Sequence, residues 1–181
     1  MQLALTVVMV VWIALPAATL EANQPGRSNS HIRFNNLRIA ELFRHGIKRS
    51  PSFRDLAATL EILEPVVYVE DGQCPPATSG AGCLRVVPAS AHGRKHLFVR
   101  FDARQPLRRA VSQLAHELYH AVEVGREPDV VDQASLSRLY ARIGFRSCGA
   151  QGGECWETRA AAAFEALVME ELVNEHPGAS E

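Results

Sequence analysis

The sequence has no surplus of either charge: 19 Lys and Arg stand against 20 Asp and Glu in 181 residues, a formal net charge of −1. Without a basic excess there is no electrostatic footprint for nucleic acid or for an anionic membrane surface, and neither is expected as a partner. The basic stretches Arg44–Arg54 and Arg104–Arg109 are interleaved with apolar residues at helical spacing, so they read as solvated helix faces. No internal repeat is present, which sets aside solenoid and propeller folds. The apolar stretch from Leu3 to Ala18 falls short of the roughly 20 residues that a membrane-crossing helix needs.

That stretch also lacks a preceding Lys or Arg. It closes on Pro16-Ala17-Ala18 and runs into the polar "TLEANQPGRSNS". A short apolar core ending in small residues reads as a secretory signal peptide over residues 1–22, with cleavage near Ala18 or Ala22. A polar linker over 23–32 and one globular domain over 33–177 follow, with a 47% apolar content sufficient for a real core. The chain is expected to be exported, periplasmic or secreted. Membrane contact is expected only if the N-terminal segment is retained as an anchor.

Cysteine is scarce. Cys74 and Cys83 bound "CPPATSGAGC", and Cys148 and Cys155 bound "CGAQGGEC". Separations of nine and seven residues are too wide for zinc knuckles. Local pairing costs the least loop entropy, and export would supply an oxidising compartment. Two local disulfides, Cys74–Cys83 and Cys148–Cys155, are therefore expected.

What is there in abundance is helical periodicity. "FNNLRIAELFRHGI" places Leu37, Ala40, Leu42 and Ile47 at helical spacing, and "SPSFRDLAATLEIL" opens with Ser50 as N-cap and Pro51 at the first helical position. Three β-like runs follow, at 66–70, 84–87 and 96–101. The pattern then returns to helix from Pro106 to Gly125, from Asp132 to Gly144, and from Trp156 towards His176. Helices, a sheet of about three strands, then more helices is an α+β layout.

The helix after Pro106 contains "LAHELYHAVE". With Val111 as origin, Val111, Leu114, Ala115, Leu118 and Val122 spread over roughly ±60°, whereas His116 and His120 fall at about 140° and 180°. One face packs on the core while both imidazoles point into a groove or solvent, about 6 Å apart along the axis, close enough to reach one ion. Glu117 lies one step round, where it can hold a water and take its proton without being a ligand. Two imidazoles, a third protein ligand and such a glutamate are what H-E-x-x-H zinc hydrolysis needs.

"HELYH" in an amphipathic helix after a strand resembles the active-site helix of the zincin metallopeptidases. Metzincins continue the motif with a glycine and a third histidine; Glu123 and Arg126 occupy those positions here, which argues against that branch. Gluzincins take a glutamate from a later helix, and "CWETRAAAAFE" offers Glu157 at a helix start, 37 residues after His120. Glu-Thr before an Ala-rich helix is similar to the second motif of small exported bacterial H-E-x-x-H proteins. The resemblance covers roughly residues 50–175. It implies a small zincin-like domain, Zn2+ on His116, His120 and Glu157, and Glu117 as general base. A peptide or protein substrate follows, with strand 96–101 as the upper rim along which an extended peptide could add. The chain departs from the thermolysin-like pattern at Ala161, where an Asp would orient the first histidine.

Other residues compete for these roles. Asp129 and Asp132 follow His120 closely, as the third ligand does in aspzincins. Glu165, placed about 80° from Glu157 on one helix, reads as solvated. Glu123, a turn beyond the histidines, suits a supporting ion pair better than ligation. Tyr119 and Tyr140 could polarise a substrate carbonyl or be buried. The alternative function is a non-catalytic exported protein with a structural zinc site or no metal.

Overall fold

The computed structural model describes residues 30–74, 82–87, 94–147 and 155–174. Four strands, β1 (Ile32–Phe34), β2 (Val66–Asp71), β3 (Gly82–Val87) and β4 (His96–Phe101), form a sheet in the order β1-β2-β4-β3. β1, β2 and β4 run parallel, and β3 closes the edge antiparallel to β4. Alternation decides which face is buried: Val67, Val69, Leu97, Val99 and Phe101 are fully buried, while Tyr68 and Phe98 stack on the other side at 4.9 Å.

Helices cover the apolar face. α1 (Leu37–Arg49) and α2 (Pro51–Ile62) connect β1 to β2, and α3 (Leu107–Gly125) follows β4. α4 (Gln133–Ile143) leads into a two-stranded hairpin of β5 (Phe145–Arg146) and β6 (Trp156–Glu157), and α5 (Arg159–Asn174) packs on α3. The fold is α+β, as expected. Local chemistry starts the helices where the sequence suggests: Asn36, Ser50 and Asp132 accept from the backbone N–H of Ile39, Phe53 and Ser135 at 3.0, 3.0 and 2.8 Å. Val111, Leu114, Ala115, Leu118 and Val122 are all buried, and each buried leucine contributes about 1.5–3 kcal/mol.

Three expectations are corrected. The domain begins before residue 33. His31 donates its backbone N–H to Glu61 at 2.8 Å and accepts from Val67 at 2.7 Å, so β1 lies where the linker should end. Three residues are too few to display a period, which is why this strand is silent in the sequence. Trp156 and Glu157 are not helical but pair with β5, and α5 starts at Arg159. Finally, β4 is paired on both sides, so it cannot receive an added peptide; the edges are β1 and β3, and β3 is the one beside the histidine helix.

Cys74 and Cys83 are disulfide-bonded, with Cα atoms 5.9 Å apart. Cys155 is also disulfide-bonded; Cys148, the signal segment 1–22, linker residues 23–29 and residues 175–177 lie outside the described residues. Among the described residues no helix is long and apolar enough to cross a membrane.

Candidate metal centre

His116 and His120 lie one turn apart on α3, their rings edge-to-face with centroids 4.9 Å apart. Neither points to bulk solvent: His116, Glu117 and His120 are 8%, 4% and 6% exposed. The histidine face is covered because α5 packs along α3, β3 crosses it and α4 flanks it.

β6 ends at Glu157, and its carboxylate reaches both imidazoles. Oε2 is 3.1 Å from His116 Nε2 and Oε1 is 3.5 Å from His120 Nε2. One ligand atom from each of His116, His120 and Glu157 falls within a 4.8 Å group, so these three could hold a metal ion. Asp132 is instead occupied in capping α4, and neither it nor Asp129 belongs to the group.

Each histidine is backed on its other nitrogen by a carboxylate. His120 Nδ1 is 2.7 Å from Glu123 Oε2, and the other oxygen of Glu123 accepts from the Thr158 hydroxyl at 2.7 Å. Thr158 also accepts from Ala161 N–H at 3.1 Å, so the residue that caps α5 holds the carboxylate that holds His120. His116 Nδ1 is 3.1 Å from Glu165 Oε2, an ionic distance without hydrogen-bond alignment. Glu165 is thus not a solvated residue. The 80° separation assumed that Glu157 and Glu165 share one helix, and Glu157 is in a strand. Ala161, where the family resemblance would want an Asp, is fully buried, and Glu165 one turn further on faces the imidazole.

The electrostatics follow from this packing. Burial works to lower the pKa of His116, but Glu157 and Glu165 outweigh it and the value rises to about 10. For His120, burial is likewise overcome by Glu123 and Glu157, giving about 9. Burial pushes Glu157 upward, yet the two histidines bring it down to about 2. Glu117 behaves oppositely: burial dominates and raises it to about 7, with His120 and His116 opposing.

A cleft opens over the group, walled by β3 at Gly82–Leu84, by α3, by α4 and by β6. Glu117 is in this wall beside the two histidines, and Tyr140 packs edge-on to His120 with ring centroids 5.4 Å apart. Tyr119 instead packs against Phe164 and does not line the cleft. Sequence reasoning overlooked Gly82, Gln113 and Trp156, and met Thr158 only as part of the Glu-Thr motif, without a role. Only Thr158 carried a local signal, as a threonine just before an Ala-rich helix.

Comparison with protein-family models, curated proteins and solved structures gives no match.

Proposed function

We propose that this chain is an exported zinc metallopeptidase in which His116, His120 and Glu157 hold the metal and Glu117 is the general base. The observation that carries the reading is the group itself: three donors within 4.8 Å, with a fourth, non-ligating carboxylate buried beside them in an open cleft. Two imidazoles and one carboxylate are a fitting donor set for zinc, and three protein ligands are characteristic of catalytic sites; closed structural sites use four. This favours catalysis over the structural-zinc alternative.

Zinc would supply Lewis acidity, making water a usable nucleophile near neutral pH and polarising the scissile carbonyl. The protein's own residues do the rest. Glu117, whose pKa burial raises to about 7 in the metal-free chain, would accept the attacking water's proton and pass it to the leaving amine. Glu123, hydrogen-bonded to His120 Nδ1, and Glu165, an ionic neighbour of His116 Nδ1, would back the two imidazoles and leave Nε2 for the metal. Tyr140, which lines the cleft and whose hydroxyl is buried without a hydrogen-bond partner, would be the donor to a carbonyl oxygen. Export is supported by the apolar N-terminal segment and by the Cys74–Cys83 disulfide, which persists in oxidising compartments.

The test is elemental analysis of the purified mature chain, followed by wild type and Glu117→Gln on a peptide library. One zinc per chain in both proteins, with cleavage only in the wild type, is expected. Equal cleavage by Glu117→Gln, or a chain that takes up no zinc, defeats the proposal.

A further inference from the structure

Among the described residues four buried side-chain polar atoms have no hydrogen-bond partner: Gln113 Nε2, His116 Nδ1, the Tyr140 hydroxyl and Trp156 Nε1. All four residues line the same cleft. Buried donors left unpaired are costly and uncommon in native folds, and they collect where a ligand completes them. His116 Nδ1 already faces Glu165, and the proposed reaction uses Tyr140. That leaves Gln113 and Trp156 without a role, and of the two it is Gln113 that shares a helix with both histidines.

Gln113 lies one turn before His116 on α3 and is 3% exposed. The direction of its amide follows from its neighbours. The backbone carbonyl of Asp102 can only accept, and Gln105 Nε2 donates to it at 3.3 Å. The same nitrogen of Gln105 donates to Gln113 Oε1. Because the nitrogen of Gln105 is committed as donor, the atom of Gln113 that meets it must be the oxygen. The Gln113 nitrogen is therefore the other arm of a pinned amide, buried and unpaired, on a residue that lines the cleft.

We propose that Gln113 is a substrate-binding residue whose Nε2–H donates to a backbone carbonyl of an extended peptide, next to the peptide bond held at the His116–His120–Glu157 group. This rests on reading that group as a peptidase centre. The spacing suits it: three residues of helix advance about 4.5 Å along the axis, and an extended peptide advances about 3.3 Å per residue. With Gln113 already desolvated, its bond to a carbonyl forms without displacing the amide from water.

The experiment uses the zinc-loaded full chain and three hydroxamate probes, which grip a metal without being cleaved. Acetohydroxamate has no neighbouring carbonyl. Two peptide hydroxamates extend it, one toward the amino side and one toward the carboxyl side. Gln113→Met removes the donor at similar size. Gln113→Glu removes the donor but keeps an acceptor for Gln105, guarding against a loss that is merely structural. In both variants one peptide hydroxamate is expected to bind roughly tenfold more weakly, the loss of about one hydrogen bond, while acetohydroxamate stays within about twofold. If neither peptide hydroxamate loses more than acetohydroxamate, the Gln113 proposal is overturned and the metal reading stands. A wild-type chain that holds no zinc overturns both.

Discussion

Gly82 of β3 and Glu117 of α3 meet so closely that a Cβ at position 82 would fall 2.0 Å from Glu117 Oε1 and 2.3 Å from its Cδ. The edge strand lies directly on the carboxylate proposed as general base, and only a glycine leaves it room. This contact contributes to the burial that raises the Glu117 pKa. It also means that the cleft's upper wall is coupled to the reacting centre rather than only framing it.

Gly82→Ala is therefore expected to keep the metal while lowering peptide hydrolysis by at least about tenfold, with a stability loss of about 1–3 kcal/mol from overpacking. Glu117→Asp withdraws the carboxylate by one methylene. The Gly82→Ala/Glu117→Asp double variant should be more stable in denaturant titration than the sum of the two single losses. Strictly additive losses would show that the two side chains do not share this space.

Glu165→Ala and Glu123→Gln should each weaken zinc binding by about 10–100-fold, because each removes the anion behind one imidazole. Competition against a chelator of known affinity measures this. Unchanged affinity in both variants would mean that the histidines are oriented by packing alone.

The two cysteine pairs should fail differently. Cys83 is in the cleft wall next to Gly82, so the Cys74→Ser/Cys83→Ser variant is expected to lose hydrolysis while retaining zinc. This departs from the purely structural role that its distance in sequence from the ligands suggests. Cys155 lies two residues before Glu157, and its backbone carbonyl accepts from Ser147 N–H at 3.0 Å in the hairpin that delivers the ligand. Cys148→Ser/Cys155→Ser should lower zinc affinity more than the first variant does. The reverse order in a chelator titration would remove Glu157 from the ligand set.

Proton linkage offers a further check. In the metal-free chain the folded pKa values of His116 and His120 are raised to about 10 and 9 from the ordinary 6.5. The stability they contribute is fully present below pH 6.5 and is lost as pH rises through 9 and 10. Glu157 is depressed from 4.5 to about 2, so its contribution is present above pH 4.5 and lost as pH falls through 2. Ligation requires neutral imidazoles, so metal uptake at pH 7 should release protons, and affinity should climb as pH rises toward 9. Calorimetry in buffers of different ionisation enthalpy reads the proton count; a binding heat independent of buffer would contradict the assignment.

Much of this protein is local and therefore legible in its sequence. The 3.6-residue period along 107–125 separates a leucine-bearing face from a histidine-bearing one before any partner is known. Ser50-Pro51 and Asp132 start helices through bonds within a few residues of themselves. Cys74 and Cys83 close a short loop.

Periodicity says which side of an element is apolar; it does not say which other element covers the opposite side. That decision belongs to the tertiary structure. Trp156 and Glu157 form a strand only because β5 is there to pair with them. Once Glu157 leaves the helix, Glu165 turns from a solvated residue into the partner of His116. Ile32–Phe34 becomes a strand through its ladder with β2, not through any propensity that three residues could display. Gly82, Gln113 and Thr158 acquire their roles from contacts with residues 35, 8 and 35 positions away, respectively. The ligands could be picked out from the spacing of a few residues, whereas the groups that orient, bury and close over them depend on distances through space.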